Sequence, residues 1–265
     1  MKLTINRWVF IGTAALCVLL VTLGAAFLIR DRIAQEQDAD MFRQLSNIAS
    51  APAVTPLESS SSDVSPTDSL SMKPVITTSG SNLSSLIAEN DECIGWLSID
   101  GTTLDYPVMH TPAEPTKYLR SNFYGEYSSA GVPFLDARCD LTNSDNLIFY
   151  GHRMKNGTMF SCLKKFKDVS YRDKHPIILL ETTDGMHEFE VFAVIETTKT
   201  DRWYCFTKAV NADEYDRMIT YALEESLYDT GIVPEYGERI ISLSTCHGRG
   251  SDGRIIIIGK ELASQ

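Results

Sequence analysis

Cys246 ends the apolar run ISLSTC and is followed by His247, Arg249 and, opening a second apolar run RIIIIGK, Arg254. A thiol attacks a carbonyl only as a thiolate, so a working cysteine needs a base or a cationic neighbour. Acyl transfer also needs donors where the carbonyl oxygen becomes negative. His247 is adjacent to the sulfur in sequence, but in an extended strand it points to the opposite face. If 239–246 and 254–260 are hairpin neighbours, Arg254 stands beside Cys246 at one end of a sheet. Arg249 lies in the Gly-rich link and reads as a solvated loop charge. The base must come from elsewhere. His152, in FYGHRMKNGTMF, follows a strand and a glycine, in the kind of strand-end loop where catalytic groups sit. Spacing and polarity alone leave the partner open among His110, His152, His175, His187 and His247, and leave Cys246 open to being a packed thiol.

The elements that must position these groups read as mainly β. IGWLSI (94–99) alternates as a strand does, Asp100-Gly101 is a hairpin signal, and TTLDYPVM (102–109) follows as a second strand. Further strands are expected at 132–135, 146–150, 176–182, 187–196, 239–244 and 254–260. Short helices are expected in SNLSSLIAEN (81–90) and at 157–166, with a helical turn in EPTKYLRSN. The stretch 211–229 has apolar residues at Tyr215, Met218, Ile219, Ala222, Leu223 and Leu227, which are the offsets of a one-faced helix. About eight strands with interposed helices predict a mixed, mainly antiparallel barrel or sandwich.

The 265 residues carry a net charge of −11 and no dense Lys/Arg cluster, which argues against a nucleic-acid partner. Residues 8–29 contain no charge. As a helix they would reach roughly 33 Å, enough to cross a bilayer core of about 30 Å and longer than the apolar part of a signal peptide. They predict an uncleaved anchor with 1–7 as a cytoplasmic tail and the rest outside the cell. Residues 30–49 continue as a charged juxtamembrane helix. The Ser/Thr/Pro-rich stretch 50–82 buries too little apolar surface to offset its ordering entropy and reads as a tether. The globular domain is expected from 83 to 265. Five cysteines lie outside the anchor, so at least one thiol is free, and no C-x-x-C spacing suggests zinc.

LSTC followed eight residues later by Arg resembles the active-site signature of sortases, and YGHRMKNGTMF resembles their histidine segment. GWLSIDGTTLDYPVM and FYGEYSSAGVPFLDARCD are similar to earlier parts of that family, in order, over about 92–262. The helix at 211–229 is similar to the one that marks class B. The resemblance implies a closed barrel of about eight strands with one longer helix between late strands. It implies Cys246 as nucleophile, attacking a Thr carbonyl in a sorting motif of the N-P-x-T-x kind on surface proteins. His152 would protonate the leaving amine and deprotonate the incoming one. Arg254 would hold the substrate and the oxyanion. The acceptor would be a cell-wall cross-bridge amine or, in a pilin polymerase, a pilin Lys. Ser244, Thr245, Tyr150, Leu119, Trp203 and Tyr204 would line the substrate groove, with no metal or other cofactor. Arg153 and His247 depart from the family pattern. A hydrolytic cysteine protease and a non-catalytic anchored barrel are the competing readings.

Overall fold

The computed structural model describes residues 7–49, 82–246 and 252–263. The tether 50–82, but for Asn82, lies outside the described residues, as do His247 and Arg249.

Eight strands close into a barrel in the order β1-β2-β3-β4-β7-β8-β6-β5. They are β1 (Cys93–Ser98), β2 (Asp105–Met109), β3 (Phe134–Leu135), β4 (Asn146–Tyr150), β5 (Ile177–Thr182), β6 (Gly185–Thr198), β7 (Ile240–Cys246) and β8 (Gly253–Glu261). The β2–β3 and β4–β7 pairs are parallel and the others antiparallel. Closure leaves no open sheet edge. Ile255 to Ile258 are all fully buried, because one face fills the barrel and the other is covered from outside. Part of that cover comes from a 3-10 helix, Phe160–Lys167, with Phe160, Leu163 and Phe166 buried. A second 3-10 turn, Arg202–Cys205, places Trp203 on β7, where its indole N–H donates to Ser242 Oγ at 3.0 Å.

The helices are α1 (Arg7–Ala49), α2 (Leu83–Glu89), α3 (Val169–Lys174) and α4 (Ala212–Glu224). In α4, Tyr215, Ile219 and Ala222 turn one face inward, and the Asn211 side chain caps the start by accepting from the Glu214 N–H. The helix ends five residues earlier than its apolar pattern suggests. Ser226 instead bridges to Ile195 of β6, and Leu227 N–H donates to the Val194 carbonyl, so sheet contacts take the backbone that would have extended the helix. The β1–β2 hairpin is also wider than a two-residue Asp-Gly turn. Leu104 N–H is drawn to the Thr102 hydroxyl at 3.1 Å, and Gly101 sits at φ +72°.

The apolar stretch and the juxtamembrane stretch are one continuous helix of 43 residues, about 65 Å long. Its first part is long and apolar enough to cross a bilayer, and none of the apolar window is buried in the protein. Its last part docks on the barrel. Phe42, Leu45 and Ala49 are buried in the core, and Ser46 Oγ donates to Asp105 Oδ2 at 3.0 Å.

Candidate active site

β7 runs between β4 and β8, and the two registers decide what meets Cys246. On one side Cys246 pairs directly with Arg254 across the antiparallel β7–β8 ladder. On the other, the parallel β4–β7 ladder ends at Tyr150 opposite Ser244. Gly151 N–H continues it to the Ser244 carbonyl at 3.3 Å, and Thr245 Oγ1 donates to the Gly151 carbonyl at 2.7 Å. His152 follows Gly151 directly, just past the end of that ladder. Three adjacent strands thus bring a thiol, an imidazole and a guanidinium to one end of the barrel.

The turn into His152 depends on Gly151. A Cβ there would lie 2.7 Å from the buried Phe160 ring, so only glycine lets the chain pass over it. Phe160 N–H then donates back to the His152 carbonyl at 2.9 Å and ties the loop's two feet together. The ring has its own anchor: Nε2 donates to the Leu119 carbonyl at 2.8 Å. A carbonyl can only accept, so Nε2 carries the hydrogen and Nδ1 is the ring nitrogen without one. Burial lowers the His152 pKa below the usual histidine value, opposed by the Leu119 hydrogen bond and aided by the nearby Arg120 charge.

The Leu119 carbonyl is itself held by the turn Lys117–Leu119. Tyr118 is buried, its hydroxyl donates to Glu92 Oε2 at 2.5 Å, and Lys117 Nζ reaches both Glu92 oxygens at 2.7 and 2.6 Å. Gly131, at φ +62°, passes so close to the Tyr118 carbonyl that any side chain would clash.

The face beside the sulfur is aromatic. Tyr150 and Tyr204 are ring neighbours at 6.0 Å between centroids, and the Tyr204 hydroxyl shares a 2.7 Å hydrogen bond with Ser244 Oγ. Burial pushes the Tyr204 hydroxyl up to about 12, and its ionisation feels both the Arg254 and the Cys246 charges. Those groups therefore share one neighbourhood. Tyr150 donates to Asp136 Oδ2 at 2.8 Å. Arg138 grips the same carboxylate through Nε at 2.9 Å and Nη2 at 2.7 Å, and reaches the Tyr204 carbonyl at 2.7 Å. Burial alone would raise the Asp136 pKa, but Arg138 and Tyr150 outweigh it and hold the carboxyl below its usual range.

A family model described as "Sortase domain" matches residues 97–262. The chain is 35% identical over 174 residues to sortase B of Listeria monocytogenes, covering 64% of this chain and 70% of that protein. The chain is a class B sortase. Among solved structures, a Staphylococcus aureus sortase B-substrate complex matches with TM-score 0.64 and 30% identity, covering 69% of this chain and 86% of that one. Sortase B from Bacillus anthracis, solved in complex with AAEK1, matches with TM-score 0.69 and 28% identity over 87% of this chain and 98% of that one. The enzyme is accordingly a cysteine transpeptidase, and its barrel is the one the sequence led us to expect.

In this sortase the six groove candidates occupy different environments. Leu119 is exposed and Tyr150 half-buried, both on the accessible side. Ser244 and Tyr204 are buried but bonded to each other beside the sulfur. Thr245, 2% exposed, ties β7 to β4 through its hydroxyl. Trp203 is fully buried and serves as core. Asp136 and Arg138 were missed by sequence reasoning, although DAR stands inside the quoted FLDARCD; nothing in three residues says that they will bracket two tyrosines.

Proposed function

We propose that this class B sortase cleaves a sorting motif after Thr through Cys246 and transfers the acyl group to a wall amine. The observation that supports the reading is the register: Arg254 pairs with Cys246 across β7–β8, and β4, whose last pair is Tyr150 with Ser244, leads into His152 on the other side of β7. At rest His152 is neutral, with its hydrogen on Nε2. It takes the thiol proton as Sγ attacks the Thr carbonyl carbon. Arg254 faces the oxygen as it becomes negative, and its guanidinium stays charged throughout. The peptide C–N bond then breaks, and the imidazolium gives its proton to the leaving amine. The incoming amine loses a proton to His152 as it attacks the thioester, the C–S bond breaks with its electron pair going to sulfur, and the imidazolium returns its proton to the thiolate. One amide replaces another, so the energy of the scissile bond is conserved.

Tyr150, Leu119, Tyr204 and Ser244 line the approach to the sulfur. Sorting motifs of the N-P-x-T-x kind are the substrate class, and a peptidoglycan cross-bridge amine is the acceptor. The apolar part of α1 anchors the enzyme, single-pass, in the cell membrane, with the barrel outside. That reading is supported by the absence of charge over 8–29 and by the exposure of Leu16, Val21 and Phe27.

The test is an exchange assay of the full chain in detergent with a pentapeptide library, with and without a glycine-peptide amine, followed by mass spectrometry. The expected result is an acyl adduct on Cys246 that the amine resolves to a new amide, absent in Cys246→Ala. Turnover by Cys246→Ala equal to wild type would end the proposal. Cleavage with no amide product in the presence of amine would make the enzyme a protease, and turnover only with a pilin Lys would make it a pilin polymerase.

A further inference from the structure

The loop that carries His152 is braced by the fold around it. Its second foot is Met159, at φ 55° and ψ −136°, the one non-glycine residue with positive φ among the described residues. Such a backbone persists only where its surroundings hold it. Here the Met159 N–H, itself buried, donates to the Tyr106 hydroxyl at 3.1 Å. A β-bridge from Met159 to Arg153 and the bond from Phe160 N–H to the His152 carbonyl carry that constraint to the catalytic ring. Tyr106 is in turn set by α1. The Phe42 ring meets the Tyr106 ring edge-on, 5.1 Å between centroids at 85°. Ser46 on Asp105 and Ser128 on Asp38, at 3.0 and 2.6 Å, align the helix on either side of that contact. A cavity of about 250 Å3 runs along the seam, bounded by Asn156, Thr158 and Met159 on the loop and by Phe42 and Ser46 on the helix. The helix therefore bears on the loop chiefly through Tyr106.

We propose that Tyr106 is a positioning residue for His152 and that Phe42 sets Tyr106, so the helix that leaves the membrane is a working part of the active site. The inference rests on His152 being the proton carrier, as read above.

The test uses the full chain in detergent, measuring peptide-exchange kcat and KM together with the melting temperature. Tyr106→Phe keeps the ring and removes the acceptor. It is expected to lower kcat about tenfold, with KM within about twofold and the melting temperature within a few degrees, because misplacing a catalytic group costs rate before it costs binding. Phe42→Ala should lower kcat in the same way, and Phe42→Tyr, which keeps the ring edge, should retain most of it. The double variant Phe42→Ala/Tyr106→Phe should be no slower than the worse single, since both act through one loop. If Phe42→Ala fails to fold, Phe42→Leu replaces it. Wild-type kcat in Tyr106→Phe, or single losses that multiply in the double variant, would overturn the relay. His152→Gln separates the two readings. If it is inactive while Tyr106→Phe is normal, only the relay falls; if it keeps full kcat, the role of His152 falls and takes the relay with it.

Discussion

His152 has a titration that its surroundings fix in direction. Burial favours the neutral ring, and the Leu119 carbonyl selects which nitrogen keeps its proton. A ring-proton titration should therefore have its midpoint below about 6.5 in the free enzyme. Cys246→Ala should leave it below that value, because burial and not the thiol sets it. The sign for stability follows. The unfolded chain takes up this proton near pH 6.5 and the folded chain only at lower pH. The contribution is present above about 6.5 and lost as pH falls through the folded value. Thermal unfolding of His152→Gln should consequently depend less steeply on pH between about 7 and 5 than that of the parent. The thiols differ just as clearly. Burial pushes Cys93 and Cys139 up to about 11 and raises Cys162, whereas Cys205 is exposed and Cys246 partly so. Brief alkylation near pH 7 should label Cys246 and Cys205 and spare the three buried thiols. Arg254→Lys should lose about a hundredfold in kcat/KM, since a point charge does not reproduce the guanidinium fork, while Arg249→Lys should keep its activity.

At the scale of elements, the path from β4 into the histidine loop is the most constrained stretch of backbone. Gly151→Ala would drive a methyl into the Phe160 ring, and the resulting overpacking should cost about 1–3 kcal/mol by denaturant unfolding and most of the activity, because the displaced residue is the neighbour of His152. How far such features could be foreseen depends on how local their causes are. β4 and β8 were legible because continuous Val/Ile/Leu/Phe runs bounded by polar residues fit doubly covered strands. The helix expected at 157–166 is a 3-10 helix at Phe160–Lys167, since Met159 and the tie back to His152 fix where it can begin. α3 was not foreseen; its six residues carry no buried side chain from which a periodicity could be read.

For the whole molecule, the question is where the catalytic unit begins. A boundary near residue 83 follows from composition, yet Phe42, Leu45 and Ala49 lie in the same core as β1 and β2. Removing residues 1–81 should expose that surface. With about 1.5–3 kcal/mol for each large apolar side chain lost, the melting temperature should fall by roughly 10 °C relative to a chain that begins at residue 31, as calorimetry would show.

The sequence by itself determined the strands, the apolar helix, the class of enzyme and the three residues expected to carry the chemistry, because hydrophobic period and short motifs are written along the chain. Only the tertiary structure decided which nitrogen of His152 carries its hydrogen, that Trp203 and Thr245 are buried, that Asp136 and Arg138 brace two tyrosines, and that α1 docks against the strand that holds the histidine loop. Each of these depends on contacts between segments tens of residues apart, such as Leu119 with His152 or Phe42 with Tyr106. Such contacts are set by barrel closure and register, which no local run of residues encodes.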